Sequence, residues 1–220
     1  MNGLSDNYRF IQVNAFAPNL GAEIRGVDIA KGVTNAEFDE IHKAFLKHQV
    51  LFFKEQSEIP PSEHVAFGKG FGHLHSHPAA PTMDGYPEIF EIHANKNSKV
   101  ANGEHWHSDV SCDTEPPLGT MLQIHILPEC GGDTLFSNMY DAYDDLSPEF
   151  KKFLGGLSAK HESEHFYRGR YAERGIDDTN KEYPKANHPV VRTHPQTGRK
   201  ALSVNRTFTR KINDLSDSES

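Results

Sequence analysis

The 220-residue chain has little cysteine, no long apolar run and no cluster of basic residues. Cys112 and Cys130 are its two cysteines, too few for the disulfide framework of a small secreted protein. No apolar run is longer than Val50–Phe53, and residues 1–6 carry neither the basic start nor the apolar stretch of a secretion signal. These features predict a cytoplasmic protein with no secretion signal and no membrane span.

The charge balance is acidic. The net charge is −8 at pH 7, and the lysines and arginines are scattered along the chain. This pattern argues against nucleic acid and against an anionic membrane surface as partners. Apolar residues make up 36% of the chain, a soluble globular composition that is somewhat poor in core-forming residues. The length, with no break in composition, predicts one domain over residues 1–220.

Spacing and capping signals predict a mixed α+β chain that is mainly β. Thr34 and Glu37 predict the capping box of a helix that ends at His48, and further helices are predicted to begin at Pro60 and Ser147. Strands are predicted in the remaining apolar segments, at residues 8–16, 21–28, 50–53, 88–93, 119–127, 133–138, 190–193 and 201–205. Many short strands with a few early helices are typical of a jelly roll with helical cover.

The most informative chemistry lies in the segment His105–Val110. On an extended strand, His107 and Asp109 would project from the same face as two adjacent metal ligands. A His-x-Asp pair with one distant histidine forms the facial triad of non-haem iron(II) oxygenases, which leaves the opposite face of the metal open. The alternative is a loop histidine hydrogen-bonded to a nearby carboxylate. The alternating histidines of His73–His77 are either a polar rim beside a turn or part of a pocket.

Three ordered blocks carry a resemblance to a known family. Trp106–Ser111, Gly131–Phe136 and His188–Pro195 resemble segments of the taurine dioxygenase family, and further matches extend from Gly21 to Thr209. That family consists of iron(II)- and 2-oxoglutarate-dependent oxygenases. The resemblance implies a double-stranded β-helix, which is a jelly-roll core, preceded by helices.

The resemblance also implies roles for seven residues. His107 and Asp109 match the first two iron ligands, which makes them the catalytic residues, and Thr134 matches the hydroxyl that contacts 2-oxoglutarate. Substrate-binding positions are matched by four residues: His77, Val110, Tyr167 and Phe208. On residue type alone, Thr134 fits a strand equally well, and Val110 and Phe208 fit plain core packing. Tyr167 lies in Glu162–Asn187, a charged stretch without periodicity that is typical of an active-site lid or a surface excursion.

Two departures from the family bear on the substrate. Ala80 stands where the taurine enzyme has a tyrosine, and Gly103 stands where it has an asparagine. Both differences remove side chains that can form hydrogen bonds. A binding site that forms a hydrogen bond to its substrate discriminates strongly against molecules that cannot form it. Taurine itself is therefore in question, and we expect a small anion such as another sulfonate, an alkyl sulfate or a carboxylate.

The family's third iron ligand, a histidine, and its 2-oxoglutarate-binding arginine have no match in the chain. Ser216 and Glu219 form a capping box one residue before the last position, Ser220, which predicts the start of a helix. We therefore expect a domain that is incomplete at its C-terminus. Four histidines are available as substitutes for the third ligand: His125, His161, His188 and His194.

The predicted function is that of a dioxygenase that uses Fe(II), 2-oxoglutarate and O2 to hydroxylate a small anionic substrate, releasing succinate and carbon dioxide. We also expect a homo-oligomer. One alternative is a non-catalytic binding protein of the same fold. The other is a zinc-dependent hydrolase that uses His107, Asp109 and one histidine of His73–His77.

Overall fold

The computed structural model describes residues 7–98 and 103–220. Contacts divide the described chain into two compact units. The first contains residues 7–73 and Met121–Asn138, and the second contains the described part of Leu74–Thr120 together with Met139–Ser220. That residues 1–220 form a single domain stays a prediction.

The first unit packs two helices and a small sheet around an aliphatic core. Its elements are β1 (Gln12–Ala15), β2 (Ala22–Arg25), α1 (Asn35–His48), β3 (Leu51–Phe53) and α2 (Pro61–Lys69). The sheet order is β1-β2-β3, with β1 antiparallel and β3 parallel to β2, so α1 makes the crossover between two parallel strands. The buried core consists of Ile11, Ile24, Val27, Ile41 and Ala44.

Helix α1 begins where the sequence predicts it. The Thr34 hydroxyl accepts a hydrogen bond from the Glu37 backbone N–H (3.3 Å), and the Glu37 carboxylate accepts one from the Thr34 backbone N–H (2.8 Å). Both halves of the predicted capping box are therefore present. The predicted helix end at His48 is also confirmed.

The second unit contains the remaining strands and helices. They are β4 (Thr82–Met83), β5 (Tyr86–Phe90), α3 (Met139–Asp144), α4 (Pro148–Leu154), β6 (Ser158–Glu162), α5 (Glu164–Tyr167), β7 (Lys185–Pro189), β8 (Val191–Thr193), β9 (Lys200–Leu202) and β10 (Thr209–Ile212). Antiparallel pairing gives a sheet of order β10-β6-β7 and two hairpins, β4-β5 and β8-β9. The predicted hairpin near the C-terminus and the Ser147-capped helix are confirmed.

Two separate hydrophobic clusters form the core of this unit. Leu154, Ala159 and Val190 make an aliphatic cluster, to which β6 contributes Ala159. The other cluster, here called the aromatic cluster, consists of Ala79, Ala80, Val110, Cys112, Tyr167, Tyr171, Tyr183 and Phe208. Three of its members come from the stretch predicted to be a lid or surface excursion, so that stretch supplies buried side chains.

The strands predicted at 119–127 and 133–138 are wrong, because neither segment forms a strand. Their apolar side chains are largely exposed, with Ile126 at 84% and Leu135 at 71%. Alternating apolar residues satisfy the pattern of a strand, but a strand also needs a neighbour for its backbone groups. Neither segment pairs with another strand in the part of the chain that the structure describes.

Ten strands and five α-helices are present among residues 7–98 and 103–220, which confirms the mixed α and β composition. At the predicted C-terminal helix, Ser216–Glu219 forms a turn in which the Glu219 carboxylate accepts hydrogen bonds from the Ser216 N–H (3.0 Å) and hydroxyl (2.6 Å). Within the described residues, no helix is both long and apolar enough to cross a membrane.

Candidate active site

His107 and Asp109 lie side by side in the second unit. The distance from His107 Nε2 to Asp109 Oδ1 is 3.1 Å. Two ligand atoms about 2.1 Å from one metal ion and at a right angle to each other lie about 3 Å apart, so this separation fits adjacent positions on an octahedral ion. The expected extended strand is wrong, since residues 105–110 form a loop and a turn, and the turn brings the two side chains together.

The His107 ring is oriented by a second hydrogen bond. Its Nδ1 lies 2.7 Å from the carbonyl oxygen of His105. Because a carbonyl only accepts, Nδ1 carries a proton, and in the neutral ring Nε2 is the atom with the free lone pair. Metal-binding histidines characteristically donate their other N–H to a carbonyl or carboxylate in this way.

Asp109 has a partner for each carboxylate oxygen. The Thr120 hydroxyl donates to its Oδ2 at 2.6 Å, while Oδ1 faces His107. The hydrogen bond with His107 lowers the pKa of the Asp109 carboxyl, and the same contact raises the pKa of His107. The pair thus shares a proton that a metal ion would displace, since a ligating histidine must be neutral and a ligating carboxyl ionised.

Val110 follows the ligand pair in an unusual backbone conformation. Its φ is +40°, although it is β-branched and 94% buried, with 6% of its surface exposed. A non-glycine residue held in this region costs on the order of 1–3 kcal/mol and persists only where surrounding contacts enforce it. The turn that sets the direction of Asp109 is therefore held under strain.

His77 lies in a box of aromatic rings. Its ring centroid is 4.9 Å from that of Phe90, 4.9 Å from that of Tyr167 and 6.4 Å from that of Tyr171. The backbone N–H groups of Ala79 and Ala80 donate to its Nδ1 at 3.1 and 2.9 Å.

Those two donors determine the state of the His77 ring. Nδ1 is an acceptor, so the single proton of the neutral ring is on Nε2. The pKa of His77 is lowered to about 4, mainly by burial and in part by the neighbouring His75, while the charge of Asp109 opposes the shift. His77 therefore presents one uncharged N–H donor.

Six of the seven predicted site residues lie in the second unit. Val110, Tyr167 and Phe208 belong to the aromatic cluster, and Tyr167 contacts both His77 and Phe208. Burial is the main cause of the raised pKa of Tyr167, and the charge of Asp109 acts in the same direction. Sequence reasoning missed Tyr171 and Tyr183. Tyr171 is four residues after Tyr167, a spacing that could have indicated a shared face.

Thr134, the seventh residue, lies in the first unit. It lines an open, mainly apolar pocket with Phe16, Leu20, Gly21, Val50, Phe52, Leu135 and Phe136. It is not on a strand, contrary to the expectation. Its contact with 2-oxoglutarate stays a prediction.

Within residues 7–98 and 103–220, no three His, Cys, Asp or Glu side chains come together as a metal site. The histidines considered as a third ligand have other contacts. His161 is buried against Ser111, His188 Nε2 donates to the Asp113 carbonyl (2.8 Å), and His194 Nδ1 accepts from two backbone N–H groups. His125 lies in the first unit, 3.8 Å from Glu58. The zinc alternative has no third ligand within the described residues either: no His, Cys, Asp or Glu side chain forms a group of three with His107 and Asp109. His75 Nε2 is 2.6 Å from Asp113 Oδ2, and His77 is in the aromatic box.

The sequence matches a known protein family over nearly its whole length. The family model "Taurine catabolism dioxygenase TauD, TfdA family" matches residues 12–220. The chain belongs to the TauD/TfdA family. It is 33% identical to an alkylsulfatase of Acinetobacter baylyi over 92% of the chain and 65% of that protein. It is 31% identical to an alpha-ketoglutarate-dependent sulfonate dioxygenase of Saccharomyces cerevisiae, over 98% of the chain and 54% of that protein.

A solved structure has a fold similar to that of this chain. A taurine dioxygenase from Burkholderia xenovorans superposes with a TM-score of 0.73 at 30% identity, covering 96% of this chain and 70% of that one. The chain thus spans between about half and two thirds of the length of the curated relatives named above.

Proposed function

We propose that this TauD/TfdA family chain provides most of the active site of an iron(II)- and 2-oxoglutarate-dependent dioxygenase that oxidises a small anionic organic substrate. The observation that carries the proposal is the His107–Asp109 pair, whose 3.1 Å separation and nitrogen and oxygen donors fit Fe(II) beside a buried aromatic cluster. The Nδ1–H bond to the His105 carbonyl directs Nε2 toward the metal position.

When bound, iron and 2-oxoglutarate supply oxidative decarboxylation with O2, which yields succinate, carbon dioxide and a hydroxylated substrate. The residues of this chain bind and orient the reactants and exclude water. We place Thr134 at 2-oxoglutarate and His77, Val110, Tyr167 and Phe208 at the substrate. The jelly-roll closure of the domain, its cytoplasmic location and its homo-oligomeric state belong to the same proposal.

The substrate class follows from the aromatic cluster and from the relatives. Relatives are named for sulfonates, sulfate esters and 2,4-dichlorophenoxyacetate, all anions attached to an apolar group. In this chain the His77 N–H suits an anionic oxygen, while the rings of Phe90, Tyr167 and Tyr171 suit a carbon chain or ring. Ala80 lacks the hydrogen-bonding group of the tyrosine that the taurine enzyme has at this position, so we propose an alkyl or aryl sulfate, sulfonate or carboxylate other than taurine.

The test is succinate formation by the 220-residue chain, and by the chain extended to the length of its relatives, with Fe(II), 2-oxoglutarate and a panel of such anions. We expect substrate-dependent succinate that is lost in Asp109→Ala and retained in His105→Ala, a matched change at an exposed histidine of the same segment. No succinate from either form with any anion would contradict the proposal.

One observation favours a second function. The described residues bring together two metal-ligating side chains at this site, whereas a catalytic site needs three protein ligands. A non-catalytic binding protein would bind an anion of the panel with measurable affinity and form no succinate. Isothermal titration of the metal-free chain with the same panel, read together with the succinate assay, separates the two functions.

A further inference from the structure

The segment Trp106–Ser111 carries both predicted iron ligands yet contains no helix or strand. A hydrogen-bonded ladder therefore does not fix the direction of His107 or Asp109. The positive φ of Val110 adds strain, since a valine relaxes from this conformation unless other contacts hold it. The contacts at the two ends of the segment show what holds it.

At the C-terminal end, Ser111 is anchored by buried polar groups. Its hydroxyl accepts a hydrogen bond from Asn205 Nδ2 at 2.9 Å and lies 3.0 Å from Nδ1 of His161. Ser111 is 8% exposed and His161 is completely buried. Hydrogen bonds inside a low-dielectric interior are strong, and leaving any of these groups without a partner is costly.

At the N-terminal end, Thr207 contacts the residue before His107. The Thr207 hydroxyl donates to the Trp106 carbonyl at 3.4 Å, and the Thr207 carbonyl accepts from His165 Nε2 at 2.8 Å. Thr207 is 5% exposed. Both ends of the ligand segment are thus contacted by one short stretch of chain, residues 205–209.

That stretch is itself rigidly folded. The Asn205 N–H donates to the Thr209 hydroxyl at 2.9 Å, and the Phe208 N–H donates to Asn205 Oδ1 at 2.9 Å. The Thr209 hydroxyl also lies 3.4 Å from Nε2 of His161. Both polar atoms of the Asn205 side-chain amide therefore form hydrogen bonds: Oδ1 accepts from Phe208 within the loop, and Nδ2 donates to Ser111.

We propose that Asn205, Thr207 and His161 are positioning residues that clamp the ligand segment at its two ends. The contacts are made through Ser111 at one end and through the Trp106 carbonyl at the other. The clamp enforces the strained turn at Val110, and this turn places Asp109 beside His107. The proposal rests on the proposed iron site. The three clamp residues are not among the proposed iron-, 2-oxoglutarate- or substrate-binding residues. The clamp also joins the ligand segment to Phe208, because Asn205 contacts both Ser111 and the Phe208 N–H.

The experiment measures the turn and the metal affinity separately. In the metal-free 220-residue chain, the three-bond HN–Hα coupling and Cα shift of Val110 report its φ, and titration with Co(II) reports the affinity of the ligand pair. In Ser111→Ala we expect Val110 to leave the positive-φ region and the Co(II) affinity to fall about 10- to 100-fold, the usual effect of removing a partner that orients metal ligands. Ser111→Thr, which keeps the hydroxyl, retains both properties.

A rescue distinguishes positioning from general stabilisation. Glycine adopts a positive φ without steric cost, so adding Val110→Gly to Ser111→Ala restores much of the Co(II) affinity while lowering the melting temperature further, because buried methyl groups are lost. The matched control is Ser203→Ala, a half-buried serine of the same unit that donates to the Pro189 carbonyl. It changes neither the Val110 coupling nor the affinity.

If Ser111→Ala shows the same Val110 coupling and the same Co(II) affinity as Ser203→Ala, the clamp proposal is wrong. It is also wrong if the double variant binds Co(II) no more tightly than Ser111→Ala alone. If Ser111→Ala does not fold, Asn205→Asp takes its place, because it removes the donor to Ser111 and keeps the oxygen that Phe208 uses. If the unchanged chain binds no Co(II), the proposed iron site fails, and the Val110 coupling in these variants alone decides whether the clamp exists.

Discussion

At the scale of single residues, the site depends on which nitrogen of each histidine carries a proton. His107 donates from Nδ1 to a carbonyl, which leaves Nε2 for a metal ion. His77 has the opposite arrangement, because two backbone N–H groups occupy its Nδ1. Local hydrogen bonds thus leave different nitrogens available on the two histidines, which suits His107 to the proposed role of a ligand and His77 to that of a neutral donor.

The His77 arrangement predicts a fixed tautomer. Because burial lowers its pKa to about 4, we expect the ring to stay neutral, with the proton on Nε2, from about pH 5 to 8. Two-dimensional 15N NMR of the histidine side chains measures this directly, and the exposed His105 serves as the comparison. A His77 that titrates near 6.5, or that carries its proton on Nδ1, would contradict the assignment.

At the scale of secondary-structure elements, the sequence correctly predicts those features that depend on only a few neighbouring residues. The Thr34–Glu37 capping box and the Ser147 cap need partners only three residues away, so the sequence specifies them. The His107–Asp109 pair was predicted for the same reason, although a turn and not a strand brings it together. The strands predicted at 119–127 and 133–138 failed because pairing depends on distant neighbours that local alternation does not reveal.

The aromatic cluster shows the same limit. Tyr171 and Tyr183 come from a charged stretch without periodicity, and their burial depends on tertiary contacts with residues such as Val110 and Phe208. Ser111, His161 and Asn205 are far apart in the sequence, and only their folded positions show that they interact.

One element-scale contact gives a stability prediction. The Glu40 carboxylate on α1 accepts hydrogen bonds from the backbone N–H groups of Arg9, Phe10 and Ile11, at 2.7, 2.8 and 3.1 Å. Glu40→Ala removes all three hydrogen bonds to the segment that leads into β1, and we expect the free energy of unfolding to fall by about 1–2 kcal/mol. Urea denaturation measures the loss. The exposed neighbour Asp39→Ala is the control, and equal losses in the two variants would refute the role of Glu40.

At the scale of the whole molecule, buried neutral histidines couple folding to pH. His161 has no exposed surface, and burial, aided by the neighbouring His188, lowers its pKa to about 4, against about 6.5 in an unfolded chain. Between these values the unfolded chain binds a proton that the folded chain does not. The free energy of unfolding therefore falls as the pH drops from about 6.5 to 4, and His161 alone accounts for up to about 3 kcal/mol at the lower end.

Urea denaturation at pH 7, 6, 5 and 4.5 tests this coupling. We expect a steeper loss of stability in the unchanged chain than in His161→Gln, which is less stable at pH 7 but lacks the titrating ring. Parallel pH profiles for the two proteins would show that His161 does not contribute.

We propose that His107 and Asp109 together bind iron in a 2-oxoglutarate-dependent dioxygenase of the TauD/TfdA family. Anaerobic titration with Fe(II) in the presence of 2-oxoglutarate tests it most directly, on the unchanged chain and on His107→Ala, Asp109→Ala and His105→Ala. We expect one equivalent of iron to bind to the unchanged chain and to His105→Ala, and we expect binding to be abolished in the other two variants. Equal iron binding by all four proteins, or none by the unchanged chain, would contradict it.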